Sequence, residues 1–205
     1  MFNLFQKKKD INCLGLPKDS MDKMHINEII NMLASFISQD ITERCNDFTT
    51  NAVRKGYIND DSFSKFYDEI DYYYYFILLC IILPKIERKF PNLHIFKQLK
   101  NTVLDTRINR RIQNAVEKGK IPDDNELLLL IRTSLSKELQ ARMDLYSKAF
   151  KEGGDGTKFF LTFSKLVSSE NIALTVAIGH TAKRITTFYE DILYEVYKYL
   201  ETRNK

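Results

Sequence analysis

The side chains best suited to chemistry in this chain are its cations. Lys100, Arg107, Arg111, Asn114 and Lys118 recur at spacings of seven, four, three and four, so a helix through them gathers all five on one face. Arg110 and Lys97 flank that face, and Asp105 and Glu117 are the acids of the segment. Guanidinium forks match carboxylates and phosphates in geometry, so the stripe reads as a contact for an acidic protein surface or, alternatively, for a nucleic-acid backbone. Aromatic residues gather near the C-terminal end, at Phe188, Tyr189, Tyr194, Tyr197 and Tyr199. Tyr194 and Tyr197 fall off the apolar seam of their segment, and aromatics with a polar tip are enriched at protein interfaces. Gly153-Gly154-Asp155-Gly156-Thr157-Lys158 sets glycines and a lysine ahead of a helix, where an anion could be held. Its spacing is not that of a phosphate loop and no strand leads into it, so it reads as a helix stop and hinge.

The rest of the catalytic inventory is thin. His25, His94 and His180 are far apart, and none has a second His or a Cys at a metal-ligand spacing. Paired Glu-x-x-His motifs of di-iron bundles are missing, as is a Gly-x-Ser-x-Gly nucleophile. No metal or cofactor is therefore expected, and the inventory points away from an enzyme. One pair departs from this. Arg88 is followed after five residues by His94, a spacing that resembles the Arg-x4–6-His motif of HEPN-type ribonucleases. Those are small helical bundles that dimerise to bring two motifs together on an RNA phosphodiester. The resemblance implies a catalytic role for Arg88 and His94. Lys89 stands where that family has a polar residue such as Asn or Asp, and Pro91 interrupts a segment that the family carries as continuous helix.

The elements that must position these residues are helical. Residues 72–83 read Tyr-Tyr-Tyr-Tyr-Phe-Ile-Leu-Leu-Cys-Ile-Ile-Leu, without charge, Gly or Pro. As a helix this run is about 18 Å long, short of a bilayer core of about 30 Å. No membrane span is expected; a helix apolar all round must be jacketed by others, with its tyrosine hydroxyls reaching water or partners at the rim. Asn59, Asp60, Asp61 and Ser62 offer caps at its start, and Pro84 should end or kink it near Leu83.

Around this core, apolar residues recur at helical spacing from Ile26 to Ala52, with Gly56 as the stop. Phe96, Leu99, Val103, Ile108, Ile112 and Ala115 make a third helix, and Gly119 and Pro122 punctuate its end. A fourth runs from about Asp124 through Leu128, Ile131, Leu135, Leu139, Met143, Tyr146 and Phe150. A short helix over residues 157–167 and a cap at Ser168-Ser169-Glu170-Asn171 precede the last. That one carries Ile178, Ala182, Ile185, Tyr189, Ile192, Val196 and Tyr199 as a heptad-like seam, expected to pack within the chain.

The expected fold is all-α. It is a single-domain antiparallel helical bundle of five long helices plus one short helix around a central apolar helix at about 61–83. Residues 1–20 form a tail or irregular lead-in, and 21–205 the bundle domain. With 7 Gly and 4 Pro in 205 residues, sandwiches and barrels are disfavoured. Phe2, Leu4, Phe5 and Lys7-Lys8-Lys9 lack a signal-peptide core and read as a mobile tail. Cys13, Cys45 and Cys80 are odd in number and widely spaced, which fits reduced thiols and a cytoplasmic protein. A net charge of +4 permits an acidic partner without requiring one.

The reading that best fits is a non-enzymatic helical protein-binding subunit, an adaptor or immunity-type inhibitor in a multi-protein system. It would use Lys100, Arg107, Arg110, Arg111, Lys118, Tyr194 and Tyr197 to bind a protein partner. A homo-oligomer stays open. The alternatives are a nucleic-acid-associated subunit using the basic face and a HEPN-like ribonuclease using Arg88 and His94.

Overall fold

The computed structural model describes residues 21–153, 163 and 171–203. The expected lead-in over 1–20, the glycine loop from Gly154 on and the short helix over 157–167, Phe163 apart, lie outside the described residues. Those described form an all-α bundle with no strand among them.

Helix α1 is Ile26–Arg54, opened by Glu28, whose carboxylate accepts the His25 backbone N–H at 2.6 Å. Its end is a Schellman motif. Gly56, at φ +68°, donates to the Val53 carbonyl and Tyr57 to that of Ala52, a left-handed turn that glycine takes without a Cβ clash. Asn59 then accepts from the Ser62 N–H over the short 3-10 turn Asp60–Ser62.

From Phe63 to Glu87 the chain is one uninterrupted rod, made of α2 (Phe63–Phe76), a widened π turn (Ile77–Ile82) and α3 (Leu83–Glu87). Pro84, expected to end or kink the helix near Leu83, does not end it. A proline inside an α-helix lacks the N–H of its turn, and its ring collides with the carbonyl four residues back. Here the preceding turn is widened, with the Leu83 N–H bonded to the Leu78 carbonyl, which makes room for the ring and lets the helix continue to Glu87.

The rod touches α1, α4 (Phe96–Glu117), α5 (Asn125–Gly153) and α6 (Ile172–Arg203). Its residues 69–79 are all buried. Each fully covered aliphatic side chain there stabilises the fold by about 1.5–3 kcal/mol. Two of the four tyrosines depart from expectation. The Tyr74 and Tyr75 hydroxyls lie toward Thr181 and Ser38 without closing a hydrogen bond of good geometry. Burial pushes their phenols well up in pKa and keeps them protonated.

Helix α4 ends like α1, with Gly119 at φ +64° donating to Val116 and Lys120 to Ala115. Asp124 accepts the Leu127 N–H to start α5, and Asn171 accepts the Leu174 N–H to start α6. The α6 seam from Ile178 to Val196 is buried, and Leu174, Leu193, Tyr197 and Leu200 widen it toward the rod. No described helix is long and apolar enough to cross a membrane.

Candidate binding surface on α4 and α5

The basic stripe of α4 is split between the interior and the surface. Arg107 is 3% exposed, and its Nε donates to Asp71 Oδ2 at 2.8 Å, with a second guanidinium nitrogen on the same oxygen. Its guanidinium carbon stands over the Tyr72 and Tyr75 rings, 4.8 and 5.2 Å from their centroids. Arg111, one turn on, is bonded to Asp68 and stands 3.8 Å from Asp71. From α5, Arg142 meets Glu69 at 2.7 Å, and Tyr146 donates to the other oxygen of that carboxylate at 2.9 Å. Arg107, Arg111 and Arg142 all lie within 6.0 Å of the Tyr72 ring.

Three carboxylates of α2 thus balance three guanidinium groups. Burial alone would lower the Arg107 pKa, but the Asp71 charge outweighs it and holds the guanidinium ionised. Arg107 is therefore a structural cation and not a surface contact, and Arg111 is held by the same acids. The sequence carried one usable signal. Arg107 stands four residues past Val103 and eight past Leu99, on the buried stripe.

Arg132 of α5 clamps Asp105 and Asn109 of α4 at 2.7 Å each. Beyond the clamp lies a cavity of about 490 Å³ between the two helices. Leu79, Leu104, Ile108, Leu139 and Met143 form its apolar lining, and Lys100, Asp105, Gln140, Asp144 and Ser147 its polar one. The π turn of the rod presents Leu79 and Cys80 to this space. Burial raises the Cys80 thiol above its usual range, against the pull of Lys100 and a hydrogen bond with Ser147, so the sulfur is protonated at neutral pH and a poor nucleophile.

The remaining sequence candidates scatter. Arg110 is half-buried and Lys118 exposed at the α4 cap; neither forms an ion pair with a described carboxylate. Tyr194 is 38% exposed, with the Phe90 ring 5.4 Å and the Lys89 ammonium 5.3 Å from its own. Tyr197 is buried against Phe90 at 5.8 Å, and its hydroxyl has no described partner, so it is a core residue and not an interface aromatic. The α6 stripe is wider than the heptad seam, which is why position 197 turns inward.

Arg88 and His94 are both exposed in the turn that joins α3 to α4, where Phe90, Leu93 and Ile95 supply the buried anchors. The Arg88 Nε donates to the Pro84 carbonyl at 3.2 Å. No cluster of three His, Cys, Asp or Glu side chains suited to a metal occurs among the described residues.

Fold and site together define an all-α protein with a buried ionic and aromatic network beside a groove between two helices. No protein-family model, curated protein or solved structure matches the chain.

Proposed function

We propose that this chain is a non-enzymatic helical subunit that binds another protein, taking an amphipathic segment of it into the groove between α4 and α5. The observation that carries the reading is the groove itself, with an apolar floor under a rim of both charges. On α5 its lining runs from Ser136 to Ser147, about 16 Å of helix. That length suits three turns of a helix laid between two others, a recurrent mode of peptide recognition. Met143 gives the floor an adaptable side chain, and Lys100 and Asp144 supply opposite charges to orient the guest.

Native purification from the source cell tests this. The parent chain should carry one stoichiometric protein, which a Leu104→Asp, Lys100→Glu variant of unchanged helicity and melting temperature should lose. In the complex Cys80 should be alkylated by iodoacetamide more slowly than in the free chain, read at that residue by mass spectrometry. A partner kept by the groove variant overturns the proposal. So does salt-sensitive retention of nucleic acid in its place, or RNA cleavage that disappears in His94→Ala.

A further inference from the structure

A different face of α5 carries an independent inference. Residues 127–131 read Leu-Leu-Leu-Leu-Ile, an apolar run that would need cover on every side. Leu128 and Ile131 turn toward the rest of the chain and are half-buried, while Leu129 and Leu130 are 65% and 68% exposed. Their surroundings on the helix are ordered. Glu126, Leu130, Thr133 and Lys137 follow at spacings of four, three and four, and Leu129 and Ser134 flank them on the same exposed face. Neither Glu126 nor Lys137 forms an ion pair with any described residue. Eleven residues apart on one helix, they cannot reach each other.

We infer that this face is self-complementary and that its occupant is a second copy of the chain, with the two α5 helices antiparallel. A two-fold axis between Ile131 and Arg132 sets Glu126 of each copy against Lys137 of the other. It sets Leu129 against Ser134 and Leu130 against Thr133. Each leucine then fills the space over a small side chain, and both orphan charges gain partners. Reversing the helix direction would oppose like charges, so the pattern selects one orientation. One helix pair buries little area compared with a permanent dimer, so the association is weak and concentration-dependent.

The test is sedimentation velocity of the full chain over a wide concentration range. The parent should move from monomer to dimer, and Leu130→Glu should abolish the shift while leaving the thermal melt unchanged. Glu126→Lys and Lys137→Glu alone should each weaken the dimer about tenfold, since each sets two like-charge pairs across the axis. The combined Glu126→Lys, Lys137→Glu chain should recover the parent affinity. A parent that stays monomeric at millimolar concentration overturns the inference. So does a double swap no better than either single, because unspecific stickiness of the leucines would not be rescued by charge. The groove variant Leu104→Asp, Lys100→Glu leaves this face intact and should dimerise like the parent, so the two proposals fail separately.

Discussion

Arg107 shows how a single residue joins two helices and how much hangs on it. Its guanidinium is out of water, shared between Asp71 and two phenol rings, and its Nη1 has no hydrogen-bond partner among the described residues. Such a pair adds little net stability compared with apolar residues of similar size, because both ions lose their hydration. Removing one partner is another matter. Arg107→Leu would leave Asp71 buried with Arg111 at 3.8 Å as its nearest cation, and should cost about 3–5 kcal/mol in urea unfolding. Arg107→Leu combined with Asp71→Leu should recover most of that loss; if the double variant is as weak as the single, the pair is worth more than its desolvation. Tyr146→Phe removes a donor from Glu69, which keeps Arg142, and should cost about 1–2 kcal/mol.

At the scale of elements the π turn decides most. It lets Pro84 sit inside a continuous rod, and it sets Leu79 and Cys80 beneath the groove of α4 and α5. A π turn is in effect one residue inserted into an α-helix, so deleting Ile81 should restore α geometry with the downstream side chains in nearly the same directions. The proline ring would then meet the carbonyl one turn back. Deleting Ile81 should therefore destabilise the Pro84 protein severely, and Pro84→Ala in the deleted background should regain about 3 kcal/mol by thermal denaturation. Equal effects of the deletion with and without Pro84 would break this link between ring and turn. Sequence reasoning placed an end or a kink near residue 83, and a stop and a widened turn are both answers to the same missing N–H. Burial of Leu83 and Ile86 beyond the turn favours the second.

For the whole molecule the buried phenols set an alkaline limit. Burial, with the Glu138 carboxylate adding to it, raises Tyr72 from 10.0 to about 12, and burial pushes Tyr73, Tyr75, Tyr146 and Tyr189 up as well. Unfolded tyrosine ionises near 10, so above that pH the unfolded chain sheds protons that the folded one still holds. Stability should be whole below pH 10 and drain away through pH 12. Far-ultraviolet dichroism and phenolate absorbance followed together should show helix loss and ionisation of the buried set in one cooperative step. Smooth phenolate absorbance near pH 10 with the helices intact would mean that these rings are wet.

What the sequence determined by itself is what depends on neighbours along the chain. The all-α class, the stops at Gly56 and Gly119, the start of the fourth helix near Asp124 and the cap at Asn171 all rest on contacts within a few residues. Only the tertiary structure decided that Arg107, Arg111 and Tyr197 turn inward, that the Tyr74, Tyr75 and Tyr197 hydroxyls find no hydrogen-bond partner among the described residues and that a groove opens beside Lys100. Helical spacing says which residues share a face. What that face meets depends on helices tens of residues away, whose acids and rings no local pattern records.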